Sequence, residues 1–263
     1  MRKFNRVKIY KNNSLKTQKV AKALIQELKE NQYDVGDDFC DLAISIGGDG
    51  TFLRMVHESM FDDAICYVGI NTGSLGFLQE IDIDLCPDFV TKLSQNEFRE
   101  ETKGIQETKI ITKNGEYYFK SLNEIVIRDV NLKTFEGDIK IDDELLETFA
   151  GDGLLISTTT GSTAYNTSLG GSIIHKSIEC LIMMPMAPLK NKSYHSLANS
   201  LVIPKKTSIF IYPKNTSILI TVDGETCRLD DVQCIETFMG DQVIRCLKTN
   251  SSSFIQIVHQ KLL

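Results

Sequence analysis

At 263 residues the chain exceeds the roughly 100 to 200 residues of a typical domain, which accommodates one large domain or two closely joined ones. A composition of 42% hydrophobic and 24% charged residues is that of a chain able to build a core. The net charge of −6, from 29 basic and 35 acidic side chains, excludes a long-range positive field for nucleic acid or an anionic membrane, so any phosphate must be held locally by backbone amides and a few cations.

Residues 1–6 are basic, but the apolar stretch 7–10 is too short for a signal peptide. The first third then reads as βαβ: a strand over 7–10, a helix over 17–29 and a buried strand over 42–46. After Gly50 the apolar residues Phe52, Leu53, Val56 and Met60 fall at helical spacing, and a further strand over 65–70 ends at Asn71-Thr72-Gly73. From about residue 105 the texture changes to short strands, predicted over 108–112, 117–120, 124–128, 137–141 and 154–158, and again over 209–212, 218–222 and 232–236. The fold class expected is α/β plus mainly-β: an N-terminal α/β domain over 1–103, joined by a returning tail over 241–263, and a C-terminal antiparallel β domain over 104–240. The strands over 209–212 and 218–222 are candidates for an exposed sheet edge.

The most apolar run, 180–189, is interrupted by Pro185 and Pro188 and falls short of the roughly 20 residues of a membrane helix. The seven cysteines, Cys40, Cys66, Cys86, Cys180, Cys227, Cys234 and Cys246, include no C-x-x-C pair and read as reduced thiols. The histidines His57, His175, His195 and His259 are equally dispersed, and Asp142-Asp143-Glu144 reads as a solvated turn, so no metal-ligand set is assigned. The expectation is a cytoplasmic protein with no nucleic-acid and no membrane partner.

Chemistry concentrates in three glycine-bearing segments. Gly47-Gly48-Asp49-Gly50-Thr51 takes a buried strand into a helix, and such a turn presents backbone amides and the positive end of the helix dipole to phosphate. The same residues also suit a plain tight turn with Asp49 as helix N-cap. Neither a Walker A loop nor a G-x-G-x-x-G fingerprint is present. Asn71-Thr72-Gly73-Ser74-Leu75-Gly76-Phe77 again follows a buried strand, and two such turns at neighbouring strand ends suggest one ligand crevice. The third cluster, Gly151-Asp152-Gly153 followed by Thr160-Gly161-Ser162-Thr163-Ala164-Tyr165-Asn166 and Ser168, is rich in hydrogen-bonding groups for a polar ligand.

Taken in order with the pair Asn123-Glu124, these segments resemble the hallmarks of the NAD kinase family. The first turn alone is less specific, since diacylglycerol and sphingosine-type lipid kinases share it. The resemblance implies transfer of the γ-phosphoryl group of ATP to the 2′-hydroxyl of the adenosine ribose of NAD, with Mg²⁺ or another divalent cation arriving with ATP. It also implies NAD bound between domains and between subunits of a homotetramer. Carried onto matching positions, Asp49 becomes the base for the hydroxyl, and Gly47, Gly48, Gly50, Thr51, Asn71 and Gly73 help hold ATP phosphates. NAD contacts fall to Asp49, Gly50, Phe77, Asn123, Glu124, Ala150, Asp152, Ala187 and the adenine-side residues Thr163, Ala164, Tyr165, Asn166 and Ser168. Two departures stand out: Thr159 replaces a proline common in relatives, so the turn loses the φ restraint of proline, and Ala150 stands where some relatives carry a basic residue. Two alternatives remain at this level, a lipid or sphingoid-type kinase on the first turn and a non-catalytic NAD(P)-binding sensor.

Overall fold

The computed structural model describes residues 3–73, 76–192, 194–249 and 253–262. The chain divides into two compact units, Met1–Lys103 with Val243–Leu263, and Gly104–Gln242.

The first unit contains β1 (Arg6–Lys11), α1 (Leu15–Glu30), β2 (Asp34–Val35), β3 (Leu42–Gly47), α2 (Asp49–Glu58), β4 (Cys66–Asn71), β5 (Ile81–Asp82) and α3 (Cys86–Gln95). Ser14 starts α1 by accepting the Thr17 N–H at 3.1 Å, which satisfies one of the donors a helix start leaves open. The order β2-β1-β3-β4 is parallel throughout, and β5 joins β4 in parallel through Ile70 and Asn71. Every residue of β3 and β4 is buried, as a strand covered on both faces requires. Leu24 and Leu28 of α1 and Phe89, Val90 and Leu93 of α3 share one core with Ile44, Ile46, Val68 and Ile70 of the sheet. Each such side chain contributes about 1.5–3 kcal/mol by leaving water.

The second unit is built from most of β6 (Arg99–Thr112), β7 (Gly115–Ser121), β8 (Glu124–Asp129), β9 (Phe135–Ile141), β10 (Glu144–Gly151), β11 (Gly153–Thr158), the short α4 (Tyr165–Ser168), β12 (Cys180–Met186), β13 (Leu201–Pro204), β14 (Ile209–Pro213), β15 (Ile218–Val222), β16 (Glu225–Leu229) and most of β17 (Val232–Lys248). One antiparallel sheet runs β13-β12-β11-β8-β15-β16; in the other, β10-β9-β14-β17 is antiparallel. Their inner faces share a core that includes Ile125, Ile127, Leu154, Ile156, Phe135, Phe149 and Ile235. The proposed sheet edges are corrected here: β14 lies between β9 and β17, and β15 between β8 and β16, so both ladders are occupied on both sides. Within the 180–189 run the structure forms a buried strand despite Pro185, which lies past Met183, the last residue of β12 paired with β13. There a missing N–H is tolerated.

The chain end returns to the first unit. Arg245 and Cys246 of β17 pair in parallel with Cys66 and Tyr67 of β4, and α5 (Phe254–Leu262) follows. All seven cysteines are free thiols. Among the described residues no helix is long and apolar enough to cross a membrane.

Candidate active site

β3 carries the chain out of the core to Gly47, whose φ of +155° and closeness to Thr51 require glycine: a Cβ there would lie 2.4 Å from Thr51 Oγ1. Gly48 is the N-cap of α2, and the N-cap reading of Asp49 is set aside. Asp49 is instead the first helical residue, and its carboxylate accepts the backbone N–H groups of Phe77 at 2.7 Å and Leu78 at 3.0 Å. Gly76 is packed so tightly against that carboxylate that a Cβ would fall 2.0 Å from Asp49 Oδ1. Thr72 completes the junction, its N–H donating to the Gly47 carbonyl at 3.3 Å and its hydroxyl lying 3.2 Å from that of Thr17. Asn71 Oδ1 accepts the Gly73 N–H at 3.1 Å. The two glycine turns are thus one assembly bonded through Asp49; Ser74 and Leu75 of the second turn lie outside the described residues.

Beside this assembly the first unit holds a cavity of about 390 Å³, lined by Asn71, Gly76, Phe77, Lys248, Gln260 and Lys261 among others. Lys248 is paired with Glu80 at 2.7 Å, with side chains 12% and 4% exposed, which makes this a buried ion pair. Burial works against the Lys248 ammonium, but the Glu80 charge and hydrogen bond outweigh it and hold its pKa above the ordinary lysine value. Lys261 sits 5.2 Å from the centroid of the Phe77 ring, and burial holds its ammonium below the ordinary value against the opposing pull of Asp49. Gln79, also in the cavity wall, is buried with neither amide atom hydrogen-bonded.

In the second unit Asp223 accepts N–H bonds from Leu122, Asn123 and Glu124 at 2.7, 2.8 and 3.1 Å, fixing the backbone of the Asn-Glu pair. Glu124 is buried, and burial followed by the Asp223 charge pushes its carboxyl up to about 8, against the downward pull of the Tyr165 backbone N–H. Its Oε2 has no hydrogen-bond partner, so the group is poised for a ligand donor. The Asn123 carbonyl accepts from Thr158 N–H at 2.8 Å and Ser157 Oγ at 3.2 Å, and a Cβ on Gly161 would meet that carbonyl at 2.1 Å. Arg128 Nη2 donates to the Tyr165 hydroxyl at 2.8 Å.

Residues 4–98 match the ATP-NAD kinase N-terminal domain, and residues 122–248 match the ATP-NAD kinase C-terminal domain. Over 251 residues the chain is 37% identical to the NAD kinase of Finegoldia magna, covering 92% of each chain. Over 250 residues it is 36% identical to that of Streptococcus pneumoniae, covering 94% of this chain and 91% of the relative. The chain belongs to the NAD kinase family. Among solved structures, yeast NADH kinase complexed with NADH superposes with a TM-score of 0.86 at 24% identity, over 98% of this chain and 87% of that one. The NAD kinase of Archaeoglobus fulgidus in complex with ATP gives 0.75 at 20% identity, over 93% and 94%. These two likenesses concern the fold.

Within this NAD kinase fold, the residues singled out from sequence fall into separate groups. Gly47, Gly48, Asp49, Gly50, Thr51, Asn71, Gly73 and Phe77 gather at the two turns of the first unit. Asn123, Glu124, Thr163, Ala164 and Tyr165 gather at one end of β8 and β11, while Asn166 is fully buried, donating from Nδ2 to the Ser162 and Ser172 carbonyls, both at 3.1 Å. Ser168 is exposed at the end of α4. Ala150, Asp152 and Ala187 form a third group: Asp152 N–H donates to the Met186 carbonyl at 2.9 Å, Leu189 N–H to the Ala150 carbonyl at 2.7 Å, and Ala187 takes a φ of +43°. At the position of the missing proline, the Thr159 hydroxyl donates to the Ile178 carbonyl. Sequence reasoning missed Arg128, Asp223 and Lys261. Asp223 carried a signal in the Asp223-Gly224 turn between two strands; the other two carried none, because their partners are distant in sequence.

Proposed function

We propose that the chain transfers the γ-phosphoryl group of ATP to the 2′-hydroxyl of the adenosine ribose of NAD, giving NADP and ADP. The observation that carries the chemistry is the Asp49 carboxylate held between two glycine turns by two backbone N–H groups. A carboxylate has about four lone-pair sites, so two remain for an acceptor hydroxyl. As the ribose oxygen bonds to phosphorus and the bond from phosphorus to the ADP oxygen breaks, Asp49 takes the hydroxyl proton. The opening N–H groups of α2, with Gly48, Gly50, Thr51, Asn71 and Gly73 around them, receive phosphate oxygens; Gly48, Gly50 and Gly73 leave open space where a side chain would stand.

In the second unit Glu124 and Asn123 meet nucleoside hydroxyls, Thr163, Ala164, Tyr165 and Ser168 line the adenine, and Asp152 with Ala150 and Ala187 meets the nicotinamide portion. The unpartnered Glu124 Oε2 supports this reading. Asn166 acts by shaping the loop. The structures of relatives with NADH and with ATP support small-molecule substrates of these two kinds. The lipid-kinase and sensor readings find no support among the family matches and relatives, which are ATP-NAD and NAD kinases.

Mg²⁺ bound with ATP supplies charge neutralisation at the phosphates. Among the described residues no group of three or more His, Cys, Asp or Glu forms a resident cage, and the donor set fits a cation delivered by the triphosphate, since Mg²⁺ keeps waters and phosphate oxygens. The enzyme is proposed to work in the cytoplasm as a homotetramer. The end strand β10, with Leu145 61% and Leu146 40% exposed, supports pairing between subunits. The test is NADP formation from NAD with ATP or polyphosphate as donor, with and without a chelator, alongside sedimentation of the full chain. ATP-dependent product abolished by the chelator supports the reading; NAD binding without product from either donor refutes it.

A further inference from the structure

Of the two lysines lining the cavity beside the glycine turns, Lys248 is committed to Glu80 at 2.7 Å. Lys261 has no carboxylate partner within ion-pair distance among the described residues. Its ammonium lies instead 5.2 Å from the Phe77 ring centroid, a cation–π arrangement that gains strength when desolvated. Phe77 is also the residue whose backbone N–H holds the Asp49 carboxylate at 2.7 Å. A continuous path therefore runs from the C-terminal helix α5 through one aromatic ring and one peptide N–H to Asp49.

We propose that Lys261 is a positioning residue for phosphoryl transfer, clamping the Phe77 turn from α5 so that the turn's backbone holds the Asp49 carboxylate in place. This rests on the reading of Asp49 as the group that meets the acceptor hydroxyl. Burial disfavours the charged form of Lys261, and Lys248 adds to that effect, while Asp49, Glu80 and Asp82 favour it. A half-buried ammonium beside a ring is costly to desolvate, and the cation–π contact with Phe77 offsets part of that cost. The second turn contains no lysine or arginine between Asn71 and Phe77, so α5 supplies the cation that the turn lacks.

The test compares the full-length parent with Lys261→Met and Lys261→Arg in steady-state NADP formation, with thermal unfolding as a fold control. Methionine keeps most of the apolar stem, and arginine keeps a cation able to stack on the ring. The expected result is a kcat about tenfold or more lower for Lys261→Met, the scale of a small misplacement at a reacting centre, with the KM for ATP and NAD within about twofold and substantial recovery in Lys261→Arg. A Lys261→Met enzyme with parental kcat, or one whose loss appears as a raised KM for ATP, overturns the positioning role. Asp49→Asn run in parallel separates the two claims. An active parent with inactive Asp49→Asn and fully active Lys261→Met sinks only the Lys261 proposal, whereas an active Asp49→Asn or a parent that forms no NADP removes both.

Discussion

The Phe77 backbone N–H donates to the Asp49 carboxylate at 2.7 Å, and the Leu78 N–H donates to its second oxygen at 3.0 Å. Replacing Asp49 with asparagine puts an NH₂ donor against one of these N–H groups. The substitution therefore removes the proposed base and also breaks one bond that joins the turns. Asp49→Asn is expected to lower stability by about 1 kcal/mol, the scale of losing one part-buried hydrogen bond, and to lower NADP formation at least about 10²-fold. Urea unfolding and initial rates on one preparation check both parts. Unchanged stability would show that the turns do not depend on this carboxylate.

Two glycines near that carboxylate should respond differently to alanine. At Gly76 the new methyl would lie 2.0 Å from Asp49 Oδ1 and 2.5 Å from its Cγ, so Gly76→Ala must displace the carboxylate. At Gly48 a Cβ meets nothing within 4 Å. Gly76→Ala is expected to lose both stability and kcat, whereas Gly48→Ala should fold normally and show its effect as a raised KM for ATP. Equal kcat losses in the two variants, without a KM change, would count against the proposed phosphate role of the first turn.

The α/β and β halves were legible in the sequence because β3, β4, β8 and β11 are short buried runs, three of them, β3, β4 and β11, next to glycine turns. Less legible were features set by distant partners. Pro185 argues locally against a strand, yet β12 forms between β11 and β13 because Pro185 lies beyond the stretch paired with β13. The Ile209–Pro213 and Ile218–Val222 strands have the alternating pattern of an edge, but β9, β17, β8 and β16 flank them. At the site, local sequence leaves Asp49 as either cap or catalytic group. The choice is decided by Phe77 and Leu78, nearly thirty positions away, at separations of 28 and 29 residues.

Glu124 links pH to stability. Its carboxyl is raised from an ordinary 4.5 to about 8 in the folded chain, so the native state holds a proton that the unfolded state releases. The contribution is fully present below the ordinary value and is lost as pH rises through about 8, at about 1.4 kcal/mol for each pH unit between the two values. Relative to Glu124→Gln, the parent should therefore lose stability between about pH 5 and about pH 9. The difference in urea midpoints between the two proteins at those pH values is the measurement, and a constant difference would refute the raised carboxyl.

The Glu80–Lys248 pair, 2.7 Å apart with side chains 4% and 12% exposed, belongs to the cavity wall. Lys248→Met leaves the Glu80 carboxylate buried without its cation and should cost about 3–5 kcal/mol. A double replacement, Glu80→Leu with Lys248→Met, should recover much of that loss, because no buried carboxylate is then left without its lysine. Equilibrium unfolding of the three proteins checks the order.

The central claim concerns where the phosphoryl group goes, and the most direct measurement follows ATP labelled in its γ-phosphoryl group with NAD and Mg²⁺, for the parent and Asp49→Asn. The account predicts label on the adenosine ribose 2′-oxygen of NADP with the parent, and almost none with Asp49→Asn even when calorimetry shows that the variant still binds NAD. Label at any other position, or equal labelling by the variant, would contradict it.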